Sequence, residues 1–127
     1  MPRSKFESDV LRRLQVQGTP HAYEPCEIRY TKSYIPDLAF QVAGRVIYIE
    51  LKGYLKPEDK TKTVHVLRDH PNLDLRFVFM RQPSAANLKW LNKHKLQWGI
   101  YPKFPLTPEE FDALEVLDPE NLIKETT

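Results

Sequence analysis

An α/β fold with a central mixed β-sheet flanked by helices is what the sequence predicts, and three observations carry it. Leu38, Phe40 and Val42 alternate with Ala39 and Gln41, the period of a strand. Ala43-Gly44 supplies a turn, and Val46, Ile47, Tyr48, Ile49 and Leu51 then form a nearly continuous apolar run, as in a central strand buried on both faces. Beyond this hairpin, helix-like and strand-like segments alternate. That is the order of a β-α-β crossover, whose strands are parallel, so hairpin and crossover together make a mixed sheet.

The elements follow in order. Ser4 caps a first helix, and Glu7, three residues on, fits a capping box. Phe6, Val10, Leu11 and Leu14 give that helix one apolar face; Gly18 and Pro20 end it. His21 to Tyr30 reads as extended and broken at Pro25, and Thr31 to Ser33 as a polar connector. After the hairpin, Pro57-Glu58-Asp59 opens a second helix, with proline early and acids in the first turn, that stops before Pro71. Leu75, Phe77, Val78 and Phe79 form a strand, Ser84 to His94 a third helix, and Leu96 to Ile100 a short strand. Tyr101 to Pro105 is a loop. Thr107-Pro108-Glu109-Glu110 is a strong helix start, and fraying is expected after Pro119.

The chain of 127 residues suits one domain, taken here as 1–127. No apolar run approaches the ~20 residues that span a bilayer, and the first residues lack a signal-peptide core. Cys26 is the sole cysteine, so no internal disulfide forms and a reducing cytoplasm is expected. The net charge of +2 conceals an asymmetry: residues 107–127 carry seven acids against Lys124 alone, net −6, leaving +8 on residues 1–106. A basic body suits a polyanionic partner; an acidic tail of about 107–127 would repel one. Solvated surface charge explains the same numbers.

The chemistry concentrates in Ile35 to Gly53. Asp37 precedes one strand and Glu50 ends the next, so a tight hairpin brings them together. With the backbone carbonyl of Leu51 they offer hard oxygen ligands suited to Mg²⁺. Glu50 and Lys52 share a strand face, which sets the amine beside the metal. There it can hold an attacking water or offset developing negative charge. Together these parts suit phosphodiester hydrolysis. Singly, an Asp before a strand can cap a turn, and Glu-x-Lys can be a surface pair. Combined at the end of a buried strand, they are poorly explained without a function. Glu7 has two readings, the helix cap or a further metal ligand.

Arg3, Lys5, Lys56, Lys60, Lys62 and Arg68 flank this stretch in sequence and are candidate phosphate contacts, or ordinary solvated charges. The four histidines share no ligand spacing, and Cys26 has no paired cysteine, so zinc is not expected. Trp90 and Trp98 read as core.

Four segments, Phe6 to Val10, Tyr34 to Leu38, Tyr48 to Gly53 and Leu67 to Phe79, together resemble the phage endonuclease I family of the PD-(D/E)xK nucleases, which resolve Holliday junctions. Lys93 to Trp98 is similar to the family's later helix-to-strand junction. The resemblance implies a restriction-endonuclease-like core and Mg²⁺- or Mn²⁺-dependent cleavage of branched DNA. Asp37 and Glu50 would be metal ligands and Lys52 the catalytic lysine, with Glu7 near the metals. It also implies a homodimer with exchanged N-terminal elements, acting in the host cytoplasm. Within the same superfamily the alternatives are a nicking, repair or restriction-type nuclease on linear or mismatched duplex. A non-catalytic DNA-binding module on the same fold is the other.

Overall fold

The computed structural model describes residues 4–29 and 33–123. Helix α1 (Lys5–Gln17) begins where Ser4 Oγ accepts the Glu7 amide at 3.1 Å, half of the expected capping box. It ends at Gly18, whose φ of +67° is the left-handed conformation that glycine adopts without strain. Its apolar stripe of Phe6, Val10 and Leu14 is buried.

Three short strands follow: β1 (Ala22–Tyr23), β2 (Ile28–Arg29) and β3 (Ser33–Tyr34). The central hairpin is β4 (Leu38–Val42) and β5 (Arg45–Lys52), with Leu38 opposite Ile49 and Val42 opposite Arg45. Ala43 at φ +51° and Gly44 at φ +76° are both left-handed, which is the type I′ geometry that matches strand twist. Helix α2 (Pro57–Asp69) then crosses to β6 (Asp74–Phe79), parallel to β5. Helix α3 (Ala85–Lys93), capped by Ser84, leads to β7 (Trp98–Ile100), parallel to β6. Helix α4 (Pro108–Asp112) is followed by β8 (Leu114–Glu115) and a 3₁₀ turn over Pro119–Asn121.

The main sheet runs β1-β4-β5-β6-β7, and β8 pairs with β4. It is mixed and flanked by helices, as the sequence predicts. Strand β5 is central and buried through most of its length. Its alternation feeds two cores. Ile47, Ile49 and Leu51 join Leu38, Phe40 and the α1 stripe on one side. Tyr48 joins Ala39, Phe77, Phe79, Val66 of α2 and Leu91 of α3 on the other. Each face of β5 is thereby covered, which explains why its apolar run shows almost no polar alternation.

Two expectations are corrected. Ser33 is not part of a loose connector. It lies in β3, where Arg29 faces Ser33 and Ile28 faces Tyr34, both of the latter buried. The rest of that connector, 31–32, and Tyr30 lie outside the described residues. Nor do residues 120–123, the described part of the tail after Pro119, fray; 124–127 lie outside the described residues. The Ile123 amide donates to the Tyr48 hydroxyl at 2.9 Å, and Leu122 and Ile123 pack on the core.

The acidic segment is likewise built into the fold. The buried guanidinium of Arg76 bonds Asp74, the Pro105 carbonyl and both oxygens of Glu110, at 2.7–2.9 Å. Glu115 accepts the Gly44 amide at 3.0 Å and so holds β8 against the central hairpin. Its charges are therefore partly spent on internal contacts.

Candidate active site

The hairpin register sets the site. Leu38 faces Ile49, so Asp37 and Glu50 come next on the same ladder. Both are buried, Asp37 at 1% and Glu50 at 7% exposure, a depth at which carboxylates need partners. Asp37 Oδ2 accepts the Leu51 amide at 2.8 Å. Glu50 Oε1 accepts the Tyr34 hydroxyl at 2.6 Å, and Glu50 Oε2 lies 3.1 Å from Lys52 Nζ.

Lys52 also reaches Asp59 Oδ1 at 3.1 Å. Burial works against the charge on Lys52, but Glu50 and Asp59 outweigh it and hold the amine above its usual pKa. It is therefore an ammonium at neutral pH, a donor and counter-charge and not a base. Burial likewise pushes the Asp59 carboxyl up. The Lys56 amide and the Lys52 ammonium more than offset this, so Asp59 sits below its usual value. Asp59 accepts that amide at 2.9 Å, which caps α2. The acids of this first turn suggested only helix-dipole complementarity; that Asp59 meets the Glu50–Lys52 pair follows from where α2 docks.

Glu7 arrives from α1. It is 8% exposed, and its Oε1 accepts the Tyr23 hydroxyl at 3.1 Å. Partial burial and this carboxylate push the Tyr23 phenol up to about 12. Tyr34 is a neutral phenol for a similar reason: burial first, then the charge of Glu50, raise its pKa well above the usual value.

A cleft of ≈ 360 Å³ draws these parts together; Glu7, Asp37, Glu50, Leu51, Lys52 and Lys62 are among its lining residues. Among the described residues no three His, Cys, Asp or Glu side chains form a group able to hold one ion. The donors at the cleft that suit a cation are the Asp37 and Glu50 carboxylates and the Leu51 carbonyl, with Glu7, the further expected ligand, lining the same cleft. That is a fit for Mg²⁺, which keeps several waters and binds through one or two carboxylates.

Of the candidate phosphate contacts, Lys62 alone among the described ones lines this cleft, with its Nζ 5.3 Å from the centre of the Tyr34 ring. Lys60 lies 5.9 Å over Trp90, and Arg68 pairs with Asp69 at 3.2 Å. Lys5 and Lys56 are exposed. Arg3 lies outside the described residues. Trp90 and Trp98 pack against the core, as expected. No helix among the described residues is long and apolar enough to cross a membrane.

Residues 1–98 match the family model for phage endonuclease I. Endonuclease I of Escherichia phage T7 is 30% identical over 82 residues, covering 61% of this chain and 53% of that protein. Endodeoxyribonuclease 1 of Enterobacteria phage T3 is 30% identical over 104 residues, covering 72% of this chain and 66% of that protein. The chain thus spans between about half and two-thirds of the length of these curated relatives.

Proposed function

Since the chain belongs to the phage endonuclease I family, we propose that it is a divalent-metal-dependent endodeoxyribonuclease that resolves Holliday junctions and other branched DNA. The observation that carries the reading is the single cleft in which Asp37, Glu50 and an ammonium on Lys52 converge. The names of the phage T7 and T3 relatives support cleavage of DNA. Selectivity for branched DNA rests on the family resemblance, and recognition by shape and backbone fits the absence of a base-reading motif in the sequence.

Asp37 and Glu50, with the Leu51 carbonyl, would hold Mg²⁺ or Mn²⁺. The bound ion supplies Lewis-acid polarisation of a phosphoryl oxygen and acidification of a water. The chain's own residues do the rest. The Leu51 amide and the Tyr34 hydroxyl fix the two carboxylates before substrate arrives. Lys52 donates hydrogen bonds toward charge that builds on the phosphoryl oxygens, a contribution that strengthens in the transition state. Lys62 meets a neighbouring phosphate at the cleft wall. Glu7 adds a third carboxylate at the cleft, suited to orienting water there.

Two coordinated cuts in a four-way junction call for two sites, so the working form would be a homodimer. The test compares cleavage of a four-way junction with that of its component linear duplexes, in Mg²⁺ and in chelator. Junction cleavage that needs the metal and is lost in Glu50→Ala and Lys52→Ala is expected. Equal rates on junction and duplex would leave a nuclease without junction selectivity. A mass measurement on junction DNA that showed one copy would remove the paired-cut mechanism.

A further inference from the structure

We infer that Tyr34 is a positioning residue that commits Glu50 to bind its cation through one oxygen, and so selects a small octahedral ion over calcium. The inference rests on the metal-site reading above and goes beyond it, because it assigns cation selectivity to a residue that does not itself ligate the ion.

The geometry is specific. The Tyr34 hydroxyl donates to Glu50 Oε1 at 2.6 Å. Its ring is 6% exposed and cannot swing away without opening the core. Its backbone is tied to Ile28 across the β2–β3 pair, and Lys62 stands over the ring at 5.3 Å. Tyr34 also lies three residues before Asp37, so one short segment carries one carboxylate and orients the other.

The consequence concerns the two oxygens of Glu50. Oε1 is held by the hydrogen bond of a buried phenol, whereas Oε2 pairs at 3.1 Å with Lys52, a cleft-lining ammonium that an entering cation repels and displaces. A carboxylate whose one oxygen is already engaged is a poor bidentate ligand. Calcium takes six to eight oxygens and commonly recruits bidentate carboxylates, while Mg²⁺ and Mn²⁺ accept one oxygen from each and complete an octahedron with water. The phenol thereby disfavours the larger ion. A phenol that served only to pack the core would leave both ions equally affected when its hydroxyl was removed.

Mn²⁺ binding is followed by the paramagnetic signal of the free ion, with Ca²⁺ as competitor, for the wild type, Asp37→Asn and Tyr34→Phe. Saturable Mn²⁺ binding that is lost in Asp37→Asn establishes the site itself; its absence in the wild type overturns the metal reading and the inference with it. Given that site, Tyr34→Phe is expected to raise the Ca²⁺-to-Mn²⁺ affinity ratio about tenfold, within the range of effects of partners that orient metal ligands. An unchanged ratio, even with both affinities lowered, overturns the selective role and leaves the site standing. Infrared difference spectra of the wild type with and without Mg²⁺, assigned with Glu50→Gln, test the same point without the Phe variant. A wide splitting of the Glu50 carboxylate stretches is expected for one-oxygen binding, and a narrow, bidentate splitting would overturn the inference.

Discussion

Lys52 and Asp59 form a 3.1 Å ion pair that ties the end of the central strand β5 to the first turn of α2. Asp59 does two things there, capping the helix through the Lys56 amide and sharing the ammonium with Glu50. The two roles separate chemically. Asn keeps an oxygen for the cap and loses the charge. Asp59→Asn is therefore expected to change unfolding free energy by less than ~1 kcal/mol, since a side-chain cap of either type is retained. DNA binding in the absence of cleavage should persist, while kcat falls roughly tenfold or more as Lys52 loses its orientation. Wild-type turnover in this variant would show that Glu50 alone positions the lysine.

Arg76 predicts a different outcome, in stability. Its guanidinium is buried and answered by Asp74 and Glu110, so removing Glu110 leaves two buried charge-assisted hydrogen bonds unmade and Asp74 as its remaining carboxylate partner. Glu110→Ala should cost about 3 kcal/mol, and Arg76→Ala as much or more, read from urea midpoints. The hydrogen bond from Arg76, aided by the Thr107 amide, holds the Glu110 carboxyl down to about 2 against a burial effect that would raise it. A depressed carboxyl contributes stability above its unfolded pKa and loses it as pH falls through the folded one. Acidification from about pH 4.5 to about pH 2 should therefore destabilise the wild type more steeply than Glu110→Gln. Parallel pH curves for the two proteins would remove Glu110 from the account.

Much of this arrangement was legible in the sequence, and the reasons differ by element. The β4–β5 hairpin announced itself because a period-two run, a turn dipeptide and a β-branched run are local signals that tertiary packing reinforces. Asp37 and Glu50 could be paired from spacing, since a tight turn fixes which residues face each other. The two-residue strands β3 and β8 were not legible, because a period cannot be seen in two residues, whereas β1 and β2 fall within the stretch from His21 to Tyr30 that reads as extended. Residues 120–123 read as frayed because acidic sequence that follows a proline resembles a solvated end; Tyr48 and the apolar contacts of Leu122 and Ile123 were the deciding partners. Asp59 and Tyr34 escaped attention for a common reason. Each is unremarkable in its own element, and each acquires a role through a contact made by docking, α2 for one and the β2–β3 pair for the other.

The turn between β4 and β5 offers a stability test remote from the cleft chemistry. Ala43 carries a side chain at φ +51°, where a β-carbon is disfavoured, and Gly44 follows at φ +76°. Asn-Gly is the dipeptide best suited to this type I′ turn. Ala43→Asn should accordingly stabilise the fold by roughly 0.5–1 kcal/mol, whereas Gly44→Ala should destabilise it by about 1 kcal/mol or more. No atom lies within 4 Å of a β-carbon placed on Gly44, so backbone conformation and not crowding would be the cause. Thermal midpoints check both signs. A stabilising Gly44→Ala would mean that the turn has another geometry.

Glu7 raises the question of which copy completes the site. In this fold α1 packs on its own sheet through Phe6, Val10 and Leu14, and Glu7 lines the cleft of its own chain. An exchange of α1 between two copies would recreate the same contacts, since swapped elements are identical, so only the connecting segment differs. Mixing inactive variants distinguishes the two. In a dimer without exchange, one subunit lacks Glu7 and the other lacks Lys52, so no complete site exists. With exchange, the subunit that keeps Lys52 receives an intact Glu7 from its partner. Co-expressed Glu7→Ala and Lys52→Ala chains, assayed for nicking of a four-way junction, are expected to recover single-strand nicking, as the exchange implied by the family resemblance requires. Activity that stays at the level of either variant alone would overturn the exchange and leave each cleft completed by its own chain.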